Sequence, residues 1–141
     1  MPKILIPVDG SDNALRAIDY LISLAVQLKE TSIHVITVRD AMDSPQLHRF
    51  WTKEQIHTFQ QESGHALLDA AQQRLDKAGL TYTSNIAIGD MAQSIVKYAN
   101  DQQCSMIVMG TRGMGSIASL ILGSVASKVV HLAKMPVMLV K

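Results

Sequence analysis

A glycine-rich segment near the end of the chain, residues 110–124, has the residue types best suited to chemistry. It holds half of the chain's 8 glycines, namely Gly110, Gly113, Gly115 and Gly123. Glycine permits positive φ values and lets backbone N–H groups come close to an anion. Because the segment lies between an apolar run and a helical pattern, a helix N-terminus adds further N–H donors and a positive dipole end.

The polar residues around this segment also favour an anion. Ser116 and Ser124 supply hydroxyl groups, and Arg112 supplies a guanidinium that can form charge-assisted hydrogen bonds. No Asp or Glu follows Asp101, whereas three lysines do. The segment therefore predicts a phosphate-binding loop, and a flexible loop with glycines at tight turns is the alternative.

Three familiar motifs fit this segment or the strand ends only in part. A P-loop would need a lysine at the position of Ser116. The run from Gly113 to Ala118 fits the dinucleotide pattern, but no acidic residue follows to hold a ribose. A receiver-type phosphoacceptor would need an acidic pair after the first strand, where only Asp9 stands.

The elements that must position this segment alternate between strands and helices. Short apolar or β-branched runs predict five strands, at Lys3–Val8, Ser32–Val38, Tyr82–Ile88, Met106–Met109 and Val137–Val140. Cap signals predict where helices begin, at Ser11 or Asp12, at Thr52 with Gln55, at Asp90 with Gln93 and at Ser124, and Gly79 is placed to end the second helix. The stretch Arg39–Trp51 is the least regular.

Alternation of this kind predicts one α/β domain over residues 1–141, a doubly wound, Rossmann-like five-stranded parallel sheet with helices on both faces. Ligands in such sheets bind beyond the carboxyl ends of the strands, where the strand order reverses. Those ends are Pro7–Gly10, Val38–Asp40, Gly89–Asp90 and the segment that starts at Gly110.

The composition excludes several function classes. A net charge of +1 gives no global field toward nucleic acid or an acidic membrane, and no apolar run is long enough to span a bilayer. The single cysteine, Cys104, forbids an internal disulfide, and the start of the chain has no signal-peptide architecture. We therefore expect a cytoplasmic protein without nucleic-acid partners. No spacing indicates a catalytic triad or a metal site.

The spacing Gly-x2-Gly-x9-Gly-Ser, at Gly110, Gly113, Gly123 and Ser124, resembles that of the universal stress protein family. The resemblance covers the whole chain. It extends to the opening Lys-Ile-Leu-Ile-Pro-Val-Asp-Gly-Ser, the Gly89–Asp90 turn with Ala92 after it, and the ending Met-Pro-Val-Met-Leu-Val. The glycine pattern is typical of the ATP-binding branch of that family.

The resemblance implies which residues contact ATP. Pro7, Asp9 and Val38 would line the adenine and ribose side. The phosphates would be wrapped by Gly110, Thr111, Arg112, Gly113, Met114, Gly115, Ser116, Gly123, Ser124 and Val125. Ala126 departs from the hydroxyl residue that many relatives carry. Asp9 either helps to hold Mg²⁺ or a ribose hydroxyl, or is a turn residue before the first helix.

The resemblance also implies a role as a nucleotide-dependent regulator in the stress response. Relatives pair the last strand across a two-fold axis, so we expect a homodimer through Val137–Val140. The alternatives are a dimeric interaction module without nucleotide and a slow nucleotide hydrolase. Because no general base is evident, we expect at most a weak ATPase.

Overall fold

A computed structural model describes residues 2–27, 30–111 and 122–141 of the chain. Its elements alternate along the sequence as β1 (Lys3–Pro7), α1 (Asp12–Gln27), β2 (Ser32–Arg39), α2 (Pro45–Phe50), α3 (Lys53–Lys77), β3 (Tyr82–Ile88), α4 (Met91–Asp101), β4 (Met106–Gly110), α5 (Ser124–Leu132) and β5 (Val137–Val140). The predicted single α/β domain is confirmed, and β3 and β5 have the predicted bounds.

The five strands form one parallel sheet in the order β3-β2-β1-β4-β5. β1 pairs with β2 from Lys3 opposite Ser32 onward, and it pairs with β4 from Ile4 opposite Met106. The chain therefore winds outward from β1 in both directions, and the strand order reverses between β1 and β4. This confirms the predicted doubly wound topology.

Alternation along the central strands divides the core between the two faces of the sheet. Ile4 and Ile6 face the layer of α1 and α3, whereas Leu5 faces the layer of α4 and α5. Both clusters contain fully buried aliphatic side chains such as Leu21 and Val129. Burial of each such side chain contributes about 1.5–3 kcal/mol, so the core holds the helices firmly on both faces of the sheet.

Side chains fix where the helices begin. Ser11, rather than Asp12, caps α1, because its Oγ accepts the Ala14 N–H at 3.2 Å. Thr52 and Gln55 form the predicted capping box of α3, and Asp90 accepts a backbone N–H at the start of α4. These caps fix where each helix starts relative to the element before it, which is a strand for α1 and α4, and α2 for α3.

One helix was not predicted. α2 lies within the stretch that the sequence indicated as irregular, and it begins with Pro45 at its first turn after the cap Ser44. A Ser-Pro pair is a standard helix start, because proline fixes φ and needs no N–H donor there. The helix has only 6 residues, which is too short for a periodic apolar pattern. None of the described helices is long and apolar enough to cross a membrane.

A polar pair is buried between β2 and α4. His34 Nδ1 and the Tyr98 hydroxyl are 2.8 Å apart, and His34 is 7% exposed. Burial lowers the pKa of His34, with a smaller contribution from the positive charge of Lys3. Burial also raises the pKa of the Cys104 thiol, which disfavours the nucleophilic thiolate form.

Candidate functional site

A cavity of about 320 Å³ opens at the carboxyl end of the sheet. Its walls are mainly apolar and come from seven elements and the turn between β1 and α1, namely Pro7, Val8, Asp9, Ser11, Ala14, Ile36, Thr37, Val38, Arg39, Leu67, Met91, Ile95, Met109, Gly110, Ser124, Val125 and Ala126. The volume lies within the range of small-molecule sites. The cavity is also at the point where the strand order reverses, which is where open α/β sheets bind ligands.

The end of β2 presents backbone groups to this cavity. Val8 N–H donates to Ile36 O at 2.8 Å, and Gly89 N–H donates to Arg39 O at 2.9 Å on the other side of the strand. Because backbone groups alternate sides along a strand, those of Val38 point to the same side as those of Ile36. The paired register of β1 ends at Pro7 opposite Ile36. The N–H and C=O of Val38 therefore face the space just beyond β1.

Asp9 occupies the turn between β1 and α1. One oxygen of its carboxylate accepts the Ser11 N–H at 3.0 Å, which closes a turn ahead of the helix cap. The structure thus shows the turn role that the sequence left open. Because Asp9 also lines the cavity, a contact with a ribose hydroxyl or with Mg²⁺ stays a prediction.

The two ends of the glycine-rich segment meet at the cavity. Gly123 N–H donates to Thr111 O at 2.6 Å, and Thr111 N–H donates to Val140 O at 3.1 Å. Thr111 and Gly123 therefore lie next to each other, directly after Gly110 and directly before Ser124 of the cavity wall. Five predicted phosphate contacts, Arg112, Gly113, Met114, Gly115 and Ser116, lie outside the described residues.

The N-terminus of α5 forms one wall of the cavity. Gly123 is its N-cap and offers no side-chain hydrogen bond to the first turn, which contains Ser124, Val125 and Ala126. The first N–H groups of a helix have no acceptor within that helix, and the helix dipole places positive potential there. This wall is therefore the part of the described site that suits an anion.

One of the two expected reasons for glycine at position 123, a positive φ, does not apply. The Gly123 φ is −70°, so the left-handed conformation that favours glycine does not occur there. Its N–H is engaged by Thr111 O rather than directed at the cavity. The N–H groups that remain for a ligand at this helix end belong to Ser124 and the two residues after it.

Gly110 has a packing role of its own. A Cβ at this position would lie 2.9 Å from the backbone C and O atoms of Asn13. The end of β4 therefore approaches the first turn of α1 more closely than a residue with a Cβ at position 110 would allow. This close approach places Met109 and Ala14 together in the cavity wall.

The profile of the universal stress protein family matches residues 1–141. The chain belongs to the universal stress protein family. It is 32% identical over 139 residues to universal stress protein MJ0531 of Methanocaldococcus jannaschii, a match that covers 99% of this chain and 81% of that protein. It is 30% identical over 146 residues to universal stress protein YxiE of Bacillus subtilis, with 99% and 98% covered.

Solved structures agree with this assignment. The structure of MJ0577, another M. jannaschii protein, superposes on this universal stress protein with a TM-score of 0.85 at 26% identity, covering 99% and 95% of the two chains. Three further structures share the fold at 19–23% identity and TM-scores of 0.67–0.71. Those three proteins hold cAMP, AMP (an Arabidopsis thaliana protein) and dAMP (an Archaeoglobus fulgidus protein).

Several residues that line the cavity of this universal stress protein were not predicted. Leu67 comes from α3, and Met91 and Ile95 come from the first turns of α4. Arg39, which also lines the cavity, lies in the strand end Val38–Asp40 that the sequence indicated. The Gly89–Asp90 turn, which we expected at the site, does not line the cavity, but α4, which starts directly after it, does. Only the position of Arg39, next to the predicted Val38, carried a signal in the sequence.

No group of three or more His, Cys, Asp or Glu side chains that could hold a metal ion occurs in the parts of the chain that the structure describes. Within the described cavity wall, Asp9 is the carboxylate and Arg39 is the cation. A divalent ion that accompanies a nucleotide would therefore take most of its ligands from phosphate oxygens and water, with Asp9 as the available carboxylate.

Proposed function

We propose that this protein binds ATP, or a related adenine nucleotide, in the cavity at the carboxyl end of the sheet. It would act in the cytoplasm as a nucleotide-dependent, dimeric regulator of the stress response. The observation that carries the proposal is the combination of an apolar cavity at the strand-order reversal with a helix N-terminus in its wall. A nucleotide needs both, because its base is largely apolar and its phosphates are anionic.

The base side of the site is the end of β2. Val38 directs an N–H donor and a C=O acceptor toward the space beyond β1, and adenine presents a matching acceptor and donor on its Watson–Crick edge. Guanine presents a different arrangement at that edge. We expect ATP to bind more tightly than GTP by about 1–3 kcal/mol, the cost of a mismatched polar contact.

The phosphate side of the site is the first turn of α5 together with the glycine-rich segment that precedes it in the sequence. The N–H groups of Ser124 and Val125 and the Ser124 hydroxyl are available to phosphate oxygens. The sequence of the loop adds Arg112 and further glycines, whose contacts stay a prediction. The apolar wall residues, such as Ile36, Leu67 and Ile95, would enclose the base and exclude water.

Known structures of the fold support an adenine nucleotide as the ligand. The ligands of those three proteins, AMP, cAMP and dAMP, share an adenine base and differ in their sugar–phosphate parts. The common element is the base, which in our assignment lies against the end of β2. ATP with Mg²⁺ is the finer proposal, and it rests on the glycine pattern Gly110, Gly113, Gly123 and Ser124.

A dimer would form through β5. This strand is at the edge of the sheet, where it pairs with β4 on one side, and Leu139 is 36% exposed. An apolar edge strand is usually covered in native proteins, because its open backbone groups otherwise recruit other chains. The Thr111 N–H donates to Val140 O, so the residue that follows Gly110 of the cavity wall is directly connected to β5.

The experiment that tests the proposal starts with purified protein. Denaturation and mass spectrometry of the released small molecules would identify a bound nucleotide, and calorimetric titration of the nucleotide-free protein would give its affinity. We expect an adenine nucleotide in the first measurement and saturable ATP binding in the second. Absence of ATP binding to folded, nucleotide-free protein would contradict the proposal.

A further inference from the structure

Two polar side chains of α3 form hydrogen bonds to the segment that follows Val38. Gln60 is 6% exposed, although glutamine is usually a surface residue. Its Nε2 donates to Asp40 O at 2.9 Å and to Ala41 O at 3.2 Å. Both hydrogens of this amide are therefore donated to carbonyl oxygens of the backbone just beyond β2.

The second side chain is Ser63, one turn further along α3. Its Oγ accepts a hydrogen bond from Arg39 Nε at 3.1 Å and donates to Gln60 O at 3.3 Å. Arg39 lines the cavity. The serine thus fixes the direction of the charged side chain in the cavity wall, while Gln60 fixes the backbone after it.

Close packing of α3 on the sheet brings these two side chains within reach. A Cβ at Gly64 would lie 2.8 Å from Ile86 Cδ1, so glycine lets the helix approach β3 at the turn that carries Ser63. The three hydrogen bonds therefore join a firmly packed helix to the exposed end of a strand. The end of β2 has no such support from β1, whose pairing ends opposite Ile36.

We infer that Gln60 and Ser63 are positioning residues, which hold residues 39–41 and thereby fix Val38 in the base-selective wall of the cavity. This inference rests on the proposed function, because Val38 is the residue that reads the adenine edge there. A backbone that reads hydrogen-bonding edges discriminates between bases only if its position is fixed. Loss of the Gln60 amide should therefore reduce discrimination between bases more than it reduces contact with phosphates.

The test uses Gln60→Met, which keeps the length of the side chain and removes the amide. The matched control is Gln72→Met on the same helix, whose Nε2 donates to Ser84 Oγ at 3.0 Å, away from the cavity. We expect Gln60→Met to weaken ATP binding by about tenfold, the size of one lost hydrogen bond. GTP binding should change little, so the ATP-to-GTP preference falls.

This preference separates positioning from mere structural damage. A variant that is partly unfolded loses affinity for both nucleotides by the same factor, and its preference is unchanged. Gln72→Met should keep the wild-type preference. An unchanged preference in Gln60→Met, with the fold confirmed by circular dichroism, would overturn the inference.

A second measurement works without nucleotide. Hydrogen–deuterium exchange of the backbone amides at residues 39–42 should be about tenfold faster in Gln60→Met than in Gln72→Met, because local opening then breaks fewer hydrogen bonds. Equal exchange rates would overturn the inference even if ATP binds. Failure of the wild type to bind ATP, with faster exchange in Gln60→Met, would instead refute the proposed function while the mechanical role of Gln60 stands.

Discussion

Ser124→Pro offers a sharp test of the phosphate site. Ser124 is the first residue of α5, and its N–H is one of those we assign to the phosphates. Proline is tolerated at the first helical position, because that N–H has no acceptor within the helix. The preceding residue must then be extended, and Gly123 is, with φ −70° and ψ 163°. The substitution therefore removes the backbone N–H and the hydroxyl of Ser124 from the site and leaves the helix intact.

The expected loss follows from the kind of bond removed. A hydrogen bond to a charged group contributes about 1.5–3 kcal/mol, so loss of the N–H should raise the ATP dissociation constant of Ser124→Pro by about 10- to 150-fold relative to Ser124→Ala. The free energy of unfolding without nucleotide should be unchanged or higher by about 0.4–1 kcal/mol, because proline restricts the unfolded chain. Binding and stability should thus move independently.

The assay is calorimetric titration with ATP, alongside thermal unfolding of the same nucleotide-free samples. Ser124→Ala is the matched control, since it loses the same hydroxyl and keeps the N–H. The difference between the two variants isolates the contribution of the backbone donor. If Ser124→Pro is folded and binds ATP as tightly as Ser124→Ala does, the first turn of α5 does not hold the phosphates.

Three further predictions concern pH, packing and assembly. The folded-state pKa of His34 lies below its unfolded value of 6.5, so protonation of His34 favours unfolding. The free energy of unfolding should therefore fall as pH drops below about 6.5. In urea titrations at pH 7 and pH 5, this fall should be smaller in His34→Gln than in the wild type. Gly110→Ala should destabilise the protein by about 1–3 kcal/mol, because its Cβ would meet the Asn13 backbone, and an unchanged urea midpoint would refute this. The double substitution Val137→Lys with Leu139→Lys should convert a dimer to a monomer in sedimentation experiments, and a wild-type monomer at micromolar concentration would argue against pairing through β5.

The sequence predicted the features that depend on local pattern. The apolar runs located all five strands, and the capping box at Thr52 and the glycine at position 79, with its φ of 72°, marked the two ends of α3. The β–α alternation then determined a parallel sheet, and the topology of such a sheet placed the site. Pro7 and Val38 are in the cavity wall because they end neighbouring strands.

Features that depend on tertiary contact were not predictable in this way. Leu67 and Met91 reach the cavity because two helices converge over it, and no spacing in the sequence encodes that convergence. In the sequence Gln60 resembles any polar residue of a surface helix, and only the structure shows that its amide is buried against residues 40 and 41. Gly110 lines the cavity, and its glycine permits close packing against α1 rather than a positive φ; Gly123, with φ −70°, has no positive φ either.

The central claim concerns where the nucleotide lies, and an NMR titration with ATP tests it directly. In ¹H–¹⁵N spectra of the nucleotide-free protein, the largest shifts should occur at the amides of Val8, Asp9, Val38, Ser124 and Val125. That pattern would place the base at the end of β2 and the phosphates at the start of α5. The absence of any shift at saturating ATP, or shifts confined to a surface away from the carboxyl end of the sheet, would contradict the account.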